Sequence, residues 1–267
     1  MILAVDVGNT ETMVGLFEGR EVRDSWRIAT ERQRTGDEIA LVLRGLLDGR
    51  FRTEPWTVKR AVIASVVPRL DRAWQEAFGR LGLPLVIVDA ASPLPIRLDV
   101  NEPASVGADR IVNTLAVSLI HERDAIVVDL GTATTFDCIT ADGTFLGGVI
   151  APGPRLGVDQ LTERSSKLPS IDLRQPDRVI GRSTVPALES GVFWSIVDGI
   201  DGIVRRIIAE WEPRQPLVLA TGGLAPLVAP HCTTVEAVDP YLTLRGLACA
   251  DELLGSGVGP KPAGRGA

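Results

Sequence analysis

The most chemically suggestive feature of this 267-residue sequence is a short motif that occurs twice. The apolar run "ILAV" leads into Asp6-Val7-Gly8-Asn9-Thr10, and the apolar run "AIVV" leads into Asp129-Leu130-Gly131-Thr132. Each motif would place a carboxylate at the carboxyl end of a buried strand, directly before a glycine turn. Backbone amides in such turns, here those of residues 8–10, bind phosphate oxygens. We therefore predict two phosphate-binding loops whose carboxylates suit Mg²⁺.

A single Asp-x-Gly turn also fits a plain β-turn in which the aspartate caps its own backbone. The repetition argues against that reading, because Asp6 and Asp129 start matching segments at a fixed offset of 129 − 6 = 123 residues. A later pair of apolar segments, "RAVIAS" and "PLVLAT", aligns Ala64-Ser65 with Ala220-Thr221. Internal repetition of this kind predicts two similar α/β halves.

The apolar patterning predicts the elements that position these loops. Three strands form an antiparallel meander at the start of the chain, and a capping box at Thr35 and Glu38 begins a helix. Strand, helix and strand follow, and a second meander begins at Ala125. The predicted domains are residues 1–117 and 118–254, with an insertion near 154–190 and a disordered tail over 255–267.

The stretch "VGADRIVN" is the next candidate site. Asp109 and Arg110 stand near the start of a long helical stretch that begins at about Pro103, with its capping candidate at Ser105 or nearby. Neighbouring side chains lie about 100° apart on a helix, so both charges can border one cleft. The same pair also fits a helix-start acid beside a solvated arginine. Gly222-Gly223 fits either a backbone surface for a nucleobase or a simple strand–helix turn.

Composition disfavours several other functions. The net charge of −6 and the lack of a basic run argue against nucleic-acid binding. No apolar window is long enough to span a membrane. Cys138, Cys232 and Cys249 form no CxxC pair, and the N-terminus has no basic segment, so we expect free thiols in a cytoplasmic protein. His121 and His231 lie outside the glycine motifs, so histidine-based catalysis is not expected.

Seven segments stand in an order that resembles the type III pantothenate kinases of the acetate-and-sugar-kinase/Hsc70/actin superfamily. They are "DVGNT" at 6–10, "GADRIVN" at 107–113, "DLGTATTFD" at 129–137, "GGVIAPG" at 147–153, "LP" at 168–169, "IGRSTVPALESG" at 180–191 and "TGG" at 221–223. The resemblance spans about residues 1–254. It implies two duplicated RNase H-like (actin-like ATPase) domains, with mixed sheets flanked by helices and the nucleotide in the interdomain cleft.

The same resemblance implies ATP-dependent phosphorylation of pantothenate at its terminal hydroxyl, the first step of coenzyme A biosynthesis. Asp109 resembles the catalytic base of the family. Asp129 resembles a ligand of a monovalent cation, K⁺ or NH₄⁺, and Asp6 would hold Mg²⁺ through water. The expected ATP-binding residues are Asp6, Val7, Gly8, Asn9, Thr10, Glu11, Thr12, Met13, Thr132, Gly222 and Gly223. The expected pantothenate-binding residues are Val100, Gly107, Ala108, Asp109, Arg110 and Thr184.

The resemblance further implies a homodimer in which Thr184 acts at the subunit interface. Val100 departs from the family pattern, because members often carry a tyrosine there, and this puts the affinity for pantothenate in question. Two rival interpretations are a regulatory, transcription-activator-like relative and a superfamily kinase for another small hydroxylated substrate. The presence of Asp6, Asp109 and Asp129 favours an enzyme, whereas Val100 leaves the choice of substrate open.

Overall fold

The chain divides into two compact α/β units. The computed structural model describes residues 1–52, 56–158, 168–212 and 214–255. Unit 1 comprises residues 1–120 and 242–255, and unit 2 comprises residues 121–241. Apart from Gly255, the expected disordered tail lies outside the described residues, and the expected insertion over 154–190 is described only in part.

Eleven strands and six α-helices lie wholly within the described residues. The strands are β1 (Ile2–Val7), β2 (Glu11–Glu18), β3 (Glu21–Ala29), β4 (Arg60–Ser65), β5 (Leu85–Val88), β6 (Arg97–Leu98), β7 (Ala125–Leu130), β8 (Ala133–Ile139), β9 (Thr144–Pro152), β10 (Leu217–Thr221) and β11 (Ala237–Val238). The helices are α1 (Gly36–Phe51), α2 (Pro68–Leu81), α3 (Ala108–Ala116), α4 (Thr184–Glu210), α5 (Ala225–Val228) and α6 (Leu242–Leu254). No described helix is both long and apolar enough to cross a bilayer.

The two units share one sheet topology. In unit 1 the strand order is β3-β2-β1-β4-β5, and in unit 2 the strands run in the order β9-β8-β7-β10-β11. In each unit the first strand pairs antiparallel with the second and parallel with the fourth. The two similar α/β halves that the repeat predicted are therefore confirmed, as are the mixed sheets that the family resemblance implied.

Strand register corrects the alignment of the two halves by one residue. Ala64 lies opposite Asp6 in unit 1, and Thr221 lies opposite Asp129 in unit 2. Ala64 therefore corresponds to Thr221 and Ser65 to Gly222, whereas the sequence comparison matched Ser65 with Thr221. The error arose because hydrogen-bonded pairing between distant strands sets the register, and apolar patterning alone does not reveal it.

Helices cover each sheet as their apolar faces require. The predicted capping box at Thr35 and Glu38 starts α1, since each residue's side chain bonds the backbone of the other. The buried apolar residues of α1 and α2 join those of β1, β2 and β4 in one core. In unit 2 the long helix α4 packs its buried side chains, including Phe193 and Val197, against β7, β8 and β10.

The C-terminal helix α6 belongs to unit 1, not to the second half as the sequence suggested. It packs on α3, where Gly246 lies so close to the carbonyl of Val112 that an added Cβ would overlap it. Thr243 donates a hydrogen bond of 3.0 Å to the buried amide oxygen of Asn113. Arg60 at the start of β4 pairs with Asp251, whose side chain is 4% exposed. These long-range contacts explain the difference from the predicted boundary.

Candidate active site

Asp6 is the penultimate residue of β1, directly before a tight turn into β2. The amide of Gly8 donates a 3.1 Å hydrogen bond to the carbonyl of Glu11 and so closes this turn. The expectation that the amides of residues 8–10 all face an anion is therefore wrong for Gly8. The side chains of Asn9 and Thr10 are exposed at the tip of the turn, where they can contact a ligand.

Other residues of the predicted ATP-binding stretch support the turn. Val7 is fully buried in the core of unit 1. The hydroxyls of Thr12 and Thr30 lie 2.8 Å apart in a hydrogen bond, and Arg27 donates to the carboxylate of Glu11 at 3.0 Å. Met13, half-buried, lies opposite Asp6 on β2. The side chains of Val7 and Thr12 therefore hold the turn in place, and a ligand contact from them would involve their backbone.

Unit 2 contains a similar turn after Asp129, the penultimate residue of β7. The amide of Gly131 donates a 3.1 Å hydrogen bond to the carbonyl of Ala133, as Gly8 does to Glu11 in unit 1. Thr132 is exposed at the tip. The two motifs therefore place their aspartates equivalently, as the repeat predicted, although the turn in unit 2 is one residue shorter.

The turn after β10 lies directly against Asp129. Gly222 has φ +89°, a conformation that L residues rarely adopt. A Cβ atom added there would overlap Oδ1 of Asp129 and lie 2.8 Å from the amide nitrogen of Leu130. Gly222 therefore lets the backbone approach the carboxylate closely, which is more than a simple strand–helix turn requires. Gly223, the next residue, is exposed.

Helix α3 begins at Ala108 with Gly107 as its N-cap, so the cap lies near Ser105, as predicted, but is not Ser105 itself. Pro103–Ser105 instead form a short 3₁₀ turn, and the hydroxyl of Ser105 donates to the carbonyl of Glu102 at 2.8 Å. The hydroxyl of Ser105 therefore bonds within the 3₁₀ turn and does not cap α3. This start places Asp109 in the first helical turn.

The carboxylate of Asp109 is held close to the backbone of its own turn. Its Oδ1 accepts a 2.8 Å hydrogen bond from the amide of Arg110. A Cβ added at Gly107 would lie only 2.5 Å from that same oxygen, so glycine makes room for it. Burial raises the pKa of Asp109, although the amide and the charge of Arg110 act in the opposite direction. A raised pKa is typical of a functional carboxyl and not of a solvated helix-start acid.

Val66, which sequence reasoning missed, connects Asp109 with the turn after Asp6. The amide of Val66 donates to the carbonyl of Val7 at 3.0 Å. Its Cγ1 lies 3.4 Å from the Cβ position of Gly107. Asp6 and Asp109 therefore lie at the same edge of the unit 1 sheet. The signal in the sequence was "SVVP", which directly follows the apolar segment of β4.

The remaining predicted pantothenate-binding residues have distinct environments. Val100 is half-buried in a bend between β6 and the 3₁₀ turn, and Ala108 is buried in unit 1. Arg110 is half-buried next to Asp109. Thr184 is the exposed first residue of α4 in unit 2, and its N-cap, Ser183, makes no side-chain capping bond.

The carboxylates suit a hard cation that arrives with a phosphate ligand. Within the described ranges, no group of three or more His, Cys, Asp or Glu residues could hold a metal by itself. Asp6 and Asp129 each supply one carboxylate next to a turn with hydroxyl or amide side chains. Mg²⁺ binds in this way, through one or two carboxylates, water and substrate phosphates. The residues present therefore fit Mg²⁺ bound together with a nucleotide.

Comparisons with solved structures agree with this architecture. The ethanolamine utilization protein EutJ from Carboxydothermus hydrogenoformans superposes with a TM-score of 0.60 at 16% identity, covering 93% of this chain and 89% of that one. The activator of 2-hydroxyisocaproyl-CoA dehydratase from Clostridium difficile, with bound ADPNP, gives 0.55 at 15% identity, covering 98% and 99%. At these identities the likeness shows the fold alone, and it supports the predicted actin-like ATPase class.

Sequence comparison is more specific than the structural likeness. A type III pantothenate kinase from Acidothermus cellulolyticus is 44% identical over 249 residues, which cover 92% of this chain and 96% of the relative. The sequence model of the type III pantothenate kinases matches residues 2–206. This match includes both Asp-Gly turns and the start of α3. The chain belongs to the type III pantothenate kinase family.

Proposed function

We propose that this protein transfers the γ-phosphate of ATP to the terminal hydroxyl of pantothenate, forming 4′-phosphopantothenate in the first step of coenzyme A biosynthesis. Family membership supports the two substrates. The observation that carries the mechanism is the half-buried carboxylate of Asp109, fixed beside Arg110 at the start of α3. The presence of Asp6, Asp109 and Asp129 favours a catalyst over a regulatory relative.

Asp109 accepts the proton of the attacking hydroxyl. Its raised pKa makes it a stronger base near neutral pH than an ordinary aspartate. General base catalysis of this kind contributes about 10²- to 10⁴-fold. Gly107 and the amide of Arg110 hold the carboxylate in one orientation, so that a bound hydroxyl meets it without prior rearrangement.

Arg110 binds the carboxylate of pantothenate. The planar guanidinium presents paired donors that match two carboxylate oxygens, which a lysine would not. Gly107, Ala108 and Val100 are assigned to the same substrate. Val100 supplies an apolar side chain where the family resemblance implies a tyrosine, so one substrate contact should be lost or replaced.

The turns after Asp6 and Asp129 are assigned to the phosphates of ATP. Asn9, Thr10 and Thr132 are exposed at the tips of these turns and supply amide and hydroxyl groups. In phosphoryl transfer, positioning and stabilisation of charge account for most of the rate. The turn at Gly222 and Gly223 is assigned to the nucleobase, because it exposes backbone that a flat ring can approach.

Asp6 is assigned to Mg²⁺, through water, and Asp129 to K⁺ or NH₄⁺. When bound, these cations offset negative charge on the phosphates. The oxygen-only donors at both turns fit hard cations of this type. The protein supplies one carboxylate at each strand end, so that a bound cation keeps positive charge for the phosphates.

We also assign a homodimer to this chain. An apolar groove of about 460 Å³ runs along α4, and small residues line it at every fourth position: Ala187, Gly191, Ser195 and Gly199. Such spacing places the four on one face of the helix and permits close packing of a second copy. Replacing Gly191 with arginine should give a monomer by size-exclusion chromatography with light scattering. An unchanged mass would refute this interface.

The test of the proposed function is ATP turnover with and without pantothenate, with K⁺ exchanged for Na⁺. We expect ADP release to require pantothenate and to fall when Na⁺ replaces K⁺. Turnover that depends on neither would overturn the assignment. Turnover with a different small hydroxylated acceptor, and none with pantothenate, would favour the alternative kinase that Val100 leaves open.

A further inference from the structure

The loop of residues 65–67, between β4 and α2, lies between two parts of the candidate site. On one side, the amide of Val66 donates to the carbonyl of Val7, in the strand end that carries Asp6. On the other, Cγ1 of Val66 contacts the Cβ position of Gly107 at 3.4 Å. A shift of this loop would therefore move Val66, which lies against Gly107 near Asp109, relative to the turn after Asp6.

A hydrogen-bonded pair outside the assigned site holds this loop. The hydroxyl of Ser65 donates to Oδ1 of Asp71 at 2.7 Å and accepts from the amide of Val67 at 3.2 Å. A hydroxyl has one proton, and a backbone amide can only donate, so the proton of Ser65 must point to Asp71. The hydroxyl of Ser65 therefore donates to Asp71 and accepts from Val67, and the two directions cannot be exchanged.

The position of this pair in the fold makes it an anchor for the loop. Ser65 is the last residue of β4 and lies opposite Val7 in the sheet. Val67 is the N-cap of α2 and has no side-chain capping bond, and Asp71 lies in the first turn of that helix. Ser65 thus connects the end of the strand to the start of the helix, with Val66 between them.

We propose that Ser65 and Asp71 are positioning residues for catalysis: through Val66 they set the carboxylate of Asp109 relative to the phosphate turn after Asp6. This inference rests on the proposed function, since it takes Asp109 as the base. Neither residue belongs to the motifs that carry the family resemblance. Their effect should appear in turnover more than in nucleotide binding.

Steady-state kinetics separates positioning from folding. We expect Ser65→Ala and Asp71→Ala each to lower kcat about tenfold or more, since small displacements of catalytic groups are costly, with little change in the KM for ATP. The double variant should lose no more than the stronger single variant, because the two residues act as one unit. Ser65→Thr and Asp71→Asn retain the hydroxyl and the acceptor oxygen, so they should restore most of the turnover.

Ser118→Ala is the matched control. Ser118 is a half-buried serine of unit 1 whose hydroxyl donates to the carbonyl of Leu115, three residues earlier in its own helical segment, at 3.1 Å. It should keep the wild-type kcat. Exchange of the Val66 and Val67 amides, followed by NMR, gives a readout without activity: both should exchange faster in Ser65→Ala and remain unchanged in Ser118→Ala.

Unaltered kcat and amide exchange in Ser65→Ala would overturn the inference. So would a loss of kcat that only follows the folded fraction and is not restored by Ser65→Thr. An inactive wild-type protein would instead refute the proposed function, whereas an active wild-type protein with unaltered Ser65→Ala kinetics would refute this inference alone.

Discussion

Replacement of Gly222 by alanine is a sharp test of the turn that lies against Asp129. At φ +89°, an L residue pays about 1–2 kcal/mol for left-handed backbone. The added Cβ would overlap Oδ1 of Asp129 and contact the backbone of Leu130 at 2.8 Å. Relief of such overpacking costs about 1–3 kcal/mol more, so the free energy of unfolding should fall by about 2–5 kcal/mol.

The same substitution should also impair nucleotide binding. Part of the overlap is relieved by displacing the Asp129 carboxylate, which we assign to a cation beside the ATP phosphates. We therefore expect a higher KM for ATP together with the loss of stability. Urea denaturation, followed by circular dichroism, measures the stability, and a coupled ADP-release assay measures the kinetics.

Gly82→Ala is the matched control. Gly82 also has a positive φ, +67°, but an added Cβ would meet nothing within 4 Å. It should therefore cost only the backbone contribution of about 1–2 kcal/mol and leave the KM for ATP unchanged. The reasoning would be refuted if Gly222→Ala cost no more than Gly82→Ala and bound ATP normally.

Three further predictions concern single side chains. Asp109→Asn should cut turnover at least about a hundredfold while ATP binding persists, and wild-type turnover in this variant would contradict the base assignment. Because burial raises the pKa of Asp109, the acid limb of the wild-type pH–rate profile should lie above the ordinary aspartate pKa of about 4. Arg110→Ala should mainly raise the KM for pantothenate, and an unchanged KM would remove its role with the substrate carboxylate. Burial raises the pKa of Asp201, but hydrogen bonds from Thr233 and Thr234 outweigh it, and the net pKa is lowered. The stability that Asp201 contributes is thus present above about pH 4 and lost as the pH falls through the lowered value. Asp201→Ala should cost at least about 2 kcal/mol at neutral pH in urea denaturation, with the difference narrowing in acid; a difference independent of pH would contradict this.

Local signals in the sequence predicted the elements well. The capping box at Thr35 and the apolar runs of β1 and β7 each span only a few residues, so pattern reasoning identifies them. The correspondence of Asp6 with Asp129 was predicted because both follow short apolar runs, and each is the penultimate residue of its strand in the structure. Features that depend on residues close together in the sequence can thus be predicted before the fold is known.

Features that depend on distant contacts were not predictable in this way. The packing of α6 on α3 rests on Gly246 fitting against Val112, far apart in sequence. The start of α4 at Thr184 lies within the segment 154–190, whose polar residues and prolines predicted an insertion and gave no signal for the first residue of a helix. Ser65 ends the repeated segment "RAVIAS", but nothing in that pattern indicates a contact with Asp71, so only the folded loop reveals their pairing.

The most direct test of the proposed activity is identification of the product. Purified wild-type protein and Asp109→Asn would be incubated with ATP, Mg²⁺, K⁺ and pantothenate, and the products analysed by mass spectrometry. We predict that the wild type forms 4′-phosphopantothenate and ADP in equal amounts, and that Asp109→Asn forms both at least about a hundredfold more slowly. ADP without phosphorylated pantothenate, or equal product from both proteins, would contradict the account.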